Sequence, residues 1–248
     1  MELYDSRYYS GQGPVMLAER GANGLPLGYS FIGDVGDVTL TPNVTTETVI
    51  ENVTGSSGTG TQFITRVEYN FSMNMRSIKN GHLAISLQAS NTGKASAQVA
   101  NEAHIAYTGK LAVLNNIKVS AVTVTNSAGT TTYDAGDDYI LDAAKGTLDI
   151  PSGSAITDGS VINVDYTHAA QHHLSTNPGQ RDYSLAFAGV NRADGNKQTR
   201  CEIYQLRLSP SSLNMISQNA IEQAITGTVI LDTRRPAGDQ FFSWKIED

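Results

Sequence analysis

From Phe63 to Met75 the chain changes character at every step: Phe63, Thr65, Val67, Tyr69, Phe71, Met73 and Met75 alternate with Ile64, Arg66, Glu68, Asn70, Ser72 and Asn74. A period of two puts successive side chains on opposite faces of a strand, so the stretch predicts one strand with a buried face and a wet face. At about 3.3 Å per residue it extends roughly 40 Å, far past the usual five or six residues. Val38–Asn52 is its expected hairpin partner, joined through the flexible loop 53–60. A ribbon this long leaves backbone groups unpaired unless it meets further strands. Copies of one chain packed in a ring meet that need by pairing edges and closing a barrel. A long hairpin within an ordinary two-sheet body is the alternative.

Composition narrows the setting of that ribbon. The chain has 248 residues and 40% hydrophobic content, enough for a core in one large or two modest domains. Strand-formers such as Thr and Val alternate with Gly, Ser and Asn turn-formers, which predicts a mainly β body. The one cysteine, Cys201, excludes an internal disulfide and fits a reducing compartment; in an alternating strand it reads as a buried, inert thiol. The opening residues are too polar for a signal peptide, and no apolar run approaches the roughly 20 residues that cross a bilayer. The expectation is an unexported protein with no membrane partner.

The net charge of −7 argues against sequence-specific DNA binding, which needs Lys and Arg at phosphates. Between Val119 and His168, seven aspartates (Asp134, Asp137, Asp138, Asp142, Asp149, Asp158, Asp165) stand against Lys145, which leaves the remainder near neutral. The same stretch reads as short strands at Val119–Thr125, Thr130–Tyr133, Tyr139–Asp142, Thr147–Ile150 and Ser160–Thr167, separated by Gly- and Asp-rich turns. About fifty residues make a marginal unit alone, and strand-like sequence continues on both flanks. The expected organisation is a body of residues 1–118 and 169–248, interrupted over 119–168 by an acidic β-rich domain whose outer surface carries Asp134, Asp137, Asp138, Asp142 and Asp158.

Elsewhere, Ser77 is placed to cap a helix running to about Gln88. Pro210–Ser217 reads as a short helical turn with Leu213, Met215 and Ile216 inward, and further strands are expected at Glu102–Val113, Asp182–Ala188, Arg200–Leu208, Gly227–Asp232 and Gln240–Ile246. No residues assemble a catalytic pattern. His168, His172 and His173 have no carboxylate or cysteine nearby to complete a metal set and read as a polar linker. Asp134, Asp137 and Asp138 lack the glycine and distal glutamate of a calcium loop, and Gly11-Gln12-Gly13 lacks the Lys-Ser/Thr of a phosphate loop. Asn43, Asn52 and Asn70 head Asn-x-Ser/Thr sites, which matter only in a secreted chain. The expectation is no enzyme activity, no cofactor and no metal.

Several short motifs recur in a telling order. The chain opens Leu3-Tyr4-Asp5-Ser6-Arg7-Tyr8-Tyr9-Ser10-Gly11-Gln12-Gly13-Pro14 and continues with a Gly-Asp-Val segment within Gly33–Val38. Asn101-Glu102-Ala103-His104 precedes Tyr107-Thr108-Gly109, and later come Gly-Val-Asn-Arg-Ala-Asp-Gly at Gly189–Gly195 and Tyr-Gln-Leu-Arg-Leu-Ser-Pro at Tyr204–Pro210. Within the acidic stretch stand Asp138-Tyr139, Gly146, Ile156-Thr157-Asp158-Gly159 and Val164-Asp165-Tyr166. In this order and spacing they resemble the tail tube (major tail) proteins of long-tailed, siphophage-like bacteriophages, which are related to tube proteins of contractile tails and type VI secretion.

The resemblance implies a tail-tube-type β-sandwich with a long hairpin and one flanking α-helix, plus a small inserted Ig-like domain. It implies six copies per ring, with rings stacked by loops and termini into the conduit through which the genome passes into the host cell. The implied partners are copies of the chain itself, the tape measure, tail terminator and distal tail proteins, and phage DNA in transient, non-specific contact. The implied location is the virion tail, assembled in the host bacterial cytoplasm. On that reading Arg66, Glu68, Asn70, Ser72 and Asn74 are the candidate lumen lining, since hydroxyls and amides do not grip DNA as a Lys- and Arg-rich wall would. Gly55, Ser56, Ser57, Gly58, Thr59 and Gly60 form the candidate ring-stacking loop. The acidic domain is too large for a lumen that passes a duplex and is expected outside, which argues against a tightly fitted sheath. The alternative is a monomeric β-sandwich binding or adhesion module with the acidic domain as its recognition surface.

Overall fold

The structure, a computed structural model, describes residues 8–176, 179–218 and 221–248; residues 3–7 of the opening motif lie outside them. The first part of the chain forms β1 (Gly11–Gln12), β2 (Val15–Glu19), β3 (Ser30–Phe31), the hairpin β4 (Val35–Ile50) and β5 (Thr59–Met75), and helix α1 (Asn80–Leu87). The middle forms β6 (Ser90–Lys94), β7 (Ala97–Ala106), β8 (Lys110–Val113), β9 (Val119–Asn126), β10 (Thr132–Tyr133), β11 (Ile140–Asp142), β12 (Thr147–Ile150), β13 (Ser160–His168) and β14 (Gln171–Ser175). The last part forms β15 (Asp182–Asn191), β16 (Lys197–Ser209), β17 (Gln223–Val229) and β18 (Phe242–Ile246). The chain is mainly β and its sheets are antiparallel. It divides into two compact units, one of the described residues up to Ser90 with Leu174–Asp248, the other Asn91–His173.

In the first unit the strands run β3-β2-β15-β16-β17-β5-β4, with β1 beside β15 and β18 beside β16. β16 serves two partners in turn, Thr199–Ile203 for β18 and Leu206–Ser209 for β17. The buried side gathers Val15, Leu17, Phe71, Met73, Met75, Leu185, Ile203, Leu206 and Ile225 into one core. The period-two expectation therefore holds in the second half of β5, where β17 flanks it from Tyr69 to Met75. Tyr69 closes the end of this core against the rings of Phe241 and Phe242, with centroids 5.1 and 5.2 Å away. Beyond Tyr69 β5 has, among the described residues, β4 alone beside it; Phe63 is 48% exposed rather than buried and Ile64 is 61% exposed. The connection spans 51–58, which makes Thr59 and Gly60 the first residues of β5 instead of loop.

α1 starts later than expected. Its N-cap is Lys79, with no side-chain bond, and Ser77 instead offers its carbonyl to His82 Nδ1 at 2.8 Å. Gln88, in the left-handed region at φ 51°, ends the helix by turning its amide back to Ile85, while Ala89 N–H reaches Ala84. The expected helical turn at Pro210–Ser217 is absent. Ser211 donates both its N–H and its hydroxyl to the Ser86 carbonyl, and the Ser212 carbonyl accepts from Gln223 Nε2, so the segment's polar groups are committed outside it. Leu213, Met215 and Ile216 are exposed rather than inward.

The second unit contains a four-stranded sheet, β10-β9-β13-β7, and a three-stranded sheet, β11-β12-β8. Both contribute to one core around Val124, Tyr139, Leu148, Ile150, Ile162, Val164 and Tyr166. The unit begins well before the expected boundary at Val119, because β7 pairs with β13 and β8 with β12. The expected single strand over 102–113 is two strands broken by Tyr107-Thr108-Gly109, where Gly109 has φ 73° and Asp158 accepts the Thr108 N–H at 2.9 Å. With these bounds the unit holds seven aspartates and one glutamate against four lysines, so its acidity is milder than that of 119–168 alone. His168 is the buried last residue of β13, donating from Nδ1 to the Ala169 carbonyl, and His172 lies in β14 against Asn91. Strand ends, not a polar linker, occupy that segment.

Candidate functional site: an open sheet edge and a polar face

β4 is a border of the first unit's sheet. Among the described residues it pairs with β5 alone, so its outer row of N–H and C=O groups has no described strand beside it. Thr39, Thr41, Thr45, Thr46 and Thr48 with Val38, Val44 and Val49 give it high strand propensity, and Pro42 is admissible there because an edge position can forgo a ladder donor. Natural edges are usually blunted by charge, yet Asp37 and Glu47 are the only charged residues of this strand. The opposite border is β3, two residues long, preceded by Leu25, Leu27 and Tyr29, all exposed like Phe31 itself. A trough of about 770 Å³ opens beside the first residues of β4, and its apolar lining includes Phe71, Leu185, Phe187 and Ile203.

The wet face of β5 is distinct from a buried one only from Asn70 to Met75, where β17 and β4 flank it. Asn70 lies between Thr41 and Thr228, and Ser72 between Thr39 and Thr226, with Thr39 Oγ1 and Ser72 Oγ 2.6 Å apart. Ser209 continues the second row, opposite Thr226. Together they form a shallow, uncharged depression of about 320 Å³. Asn74 stands opposite Ala224, while Arg66 and Glu68 form an ion pair with each other toward the hairpin end. The five candidate lining residues thus share one face, and its centre is hydroxyl and amide.

The hairpin tip is organised by a residue that pattern reading missed. The Glu51 carboxylate accepts from Thr54 Oγ1, Thr54 N–H and Val53 N–H at 2.6, 2.7 and 2.5 Å. The Thr54 hydrogen bonds hold its pKa below the ordinary carboxylate value. Gly55 and Ser57 take positive φ to complete the reversal, leaving 55–58 exposed. An acid followed two and three residues later by free N–H groups is the signal that finds it.

Two of the short sequence motifs, at 8–14 and 189–195, meet in space. Gly11 and Gln12 pair with Asn191 and Val190, and the buried Asn191 side chain accepts from Ser10 N–H at 2.8 Å and donates to the Tyr8 carbonyl at 2.9 Å. Arg192 adds its N–H to the Ser10 carbonyl and a guanidinium bond to Gln12 Oε1. The backbones approach so closely that a Cβ on Gly189 would lie 2.4 Å from the Gln12 carbonyl oxygen. Nearby, Tyr9 meets Trp244 edge-on with ring centroids 5.4 Å apart.

The acidic candidates have unequal roles. Asp138 accepts the N–H groups of Asp134 and Ala155, which lower its pKa, and Asp158 ties down Thr108; both hold loops. Asp142 pairs with Lys145 at 2.7 Å, while Asp134 and Asp137 are exposed. A buried polar network lies inside the second unit. Tyr166 donates to Glu102 Oε2 at 2.5 Å and accepts from Asn116 Nδ2 at 2.7 Å, while His104 Nε2 and the Asn115 N–H reach Glu102 Oε1. Burial raises the Glu102 pKa, but these bonds outweigh it and leave the carboxyl below its ordinary value; burial and Glu102 push the Tyr166 phenol up to about 12. In the first unit, Arg20 is enclosed by Asp232 at 3.0 Å, Ser184 Oγ and the Tyr204 carbonyl. Cys201 is buried in β16, and burial pushes its thiol up to about 11, as expected for an inert position. Among the described residues no three His, Cys, Asp or Glu side chains cluster as metal ligands, and no helix is long and apolar enough to cross a membrane.

No curated protein matches the sequence. Residues 8–245 match the family described as "Protein of unknown function UCP028589". That match begins at the Tyr8 corner, takes in both compact units and ends within β18, and on its extent the chain belongs to this family.

Proposed function

We propose that this chain is the structural subunit of a bacteriophage tail tube, built as a β-sandwich with an inserted Ig-like domain and assembling into stacked hexameric rings around a genome conduit. The observation that carries the proposal is the open β4 edge, with Asp37 and Glu47 as its charged residues and a trough of mixed polar and apolar lining beside its first residues. The sheet's other border is different in kind, a two-residue strand beside exposed Leu25, Leu27, Tyr29 and Phe31. Two unlike unfinished borders favour head-to-tail contact between copies, which closes a ring or propagates a filament. The uncharged Thr, Ser and Asn centre of the β5 face, with Arg66 beside it paired to Glu68, suits a wall past which DNA slides, because it offers no row of free lysines or arginines to release counterions. The hairpin tip, fixed by Glu51, supplies the contact between rings. Tape measure, terminator and distal tail proteins are the further partners of such a tube, and the virion tail is its place.

Negative-stain electron microscopy of the purified chain tests the reading. Tubes or six-fold rings are expected. A monodisperse monomer that persists at high concentration, with or without tail partners, overturns it.

A further inference from the structure

The three-stranded sheet of the second unit has two unlike faces. Inward, Ala112, Leu148 and Ile150 enter the core. Outward, at the alternate positions, Leu111 and Val113 of β8 and Ile140 of β11 are 63%, 62% and 52% exposed. Partners directly opposite in an antiparallel pair lie on the same side. The register therefore sets Ile140, Asp149 and Leu111 in one row straight across the sheet, and Asp142, Thr147 and Val113 in the next. Asp142 is engaged by Lys145. Asp149, on the central strand, has no hydrogen bond or ion pair to its carboxylate among the described residues and stands between two bare aliphatic side chains. The unit's other sheet makes a contrast: Thr123, Thr125, Asn163, Asp165 and Thr167 stand at its outward positions, with Ile105 and Val161 beside Ala103 toward one end.

We infer that this face docks a protein partner presenting an arginine or lysine flanked by aliphatic side chains. Covering Leu111, Val113 and Ile140 is favourable by burial of apolar area, but the same contact strips water from Asp149. An unpaired carboxylate in a desolvated contact is costly, so a wholly apolar partner is rejected and an acidic one is repelled. A cation opposite Asp149 removes that cost while its neighbours cover the aliphatic groups. The unit's excess of acids over lysines adds long-range attraction for the same partner and disfavours anionic surfaces. The inference does not depend on whether the chain forms tubes.

The test uses the full chain and a labelled peptide of alternating leucine and arginine, with a leucine–glutamate peptide as control, followed by fluorescence anisotropy. The arginine peptide is expected to bind at least about tenfold more tightly than the control. Asp149→Asn, and separately the double change Leu111→Ser with Ile140→Ser, are each expected to weaken it by about tenfold, whereas Asp137→Asn, the same charge change off this face, leaves it unaltered. These side chains are exposed, and unchanged thermal unfolding of the variants verifies the fold. Equal weakening by Asp137→Asn reduces the effect to general charge attraction and overturns the inference. So does indifference to the serine pair, no binding at all, or preferential binding of anionic lipid vesicles.

Discussion

Tyr166 is 1% exposed and stands between Glu102 and Asn116, so its hydroxyl couples the fold of the second unit to pH. The Glu102 pKa is lowered in the folded chain, so its contribution is present above the unfolded value near 4.5 and is lost as pH falls through the folded value. The Tyr166 pKa is raised from 10.0 to about 12, so its contribution is complete below pH 10 and is lost as pH rises toward 12. Tyr166→Phe leaves Glu102 and Asn116 each short of a partner and is expected to cost about 1–3 kcal/mol near neutrality. The variant's stability should also fall less steeply than the wild type's between pH 10 and 12, by up to one proton. Urea unfolding across that range measures both, and identical slopes refute the assignment.

β5 is one strand in pairing and two in environment. From Tyr69 to Met75 it lies between β17 and β4 and feeds the core, while its earlier residues have β4 alone. The outer hairpin therefore contributes little to folding of the first unit. Val44 and Val67 already face each other, so replacing residues 45–66 by Asn-Gly, a two-residue turn suited to a hairpin, joins them without altering the core. The expected result is an unfolding midpoint within a few degrees of the wild type, matching a change of about 1 kcal/mol or less, together with loss of assembly by electron microscopy. A large fall in midpoint places the hairpin in the fold itself; tubes that survive remove it from assembly.

At the scale of the molecule, two cores with no shared residues predict two unfolding events. Excising Asn91–His173 and bridging Ser90 to Leu174 with a short Gly/Ser linker should leave one calorimetric transition, that of the first unit. Excising only 119–168 should fare much worse. It removes β12 and β13 but leaves β8 and β7, their pairing partners, with Ala106 and Leu114 stripped of cover. If the shorter deletion is the better folded, the unit does not begin at Asn91.

Local pattern reached the β class, the long hairpin, the wet face of Asn70, Ser72 and Asn74, the buried cysteine and most strands beyond residue 118, because alternation and turn residues are written within a few positions of each other. It did not reach the end of the buried face at Tyr69, since Phe63 is as apolar as Phe71 and only the reach of β17 separates them. Nor did it reach the start of the second unit: β7 and β8 read as strands of any sheet, and which sheet they join depends on partners more than thirty residues away. Residues 210–217 carry a helical pattern, yet Ser86 and Gln223 claim their polar groups first. What the sequence determined by itself is which backbone becomes strand and which side faces water, because side-chain alternation is a local property. Which strands share a sheet, where a core stops and which edge stays open were decided only by tertiary structure, because each depends on a partner distant in the chain.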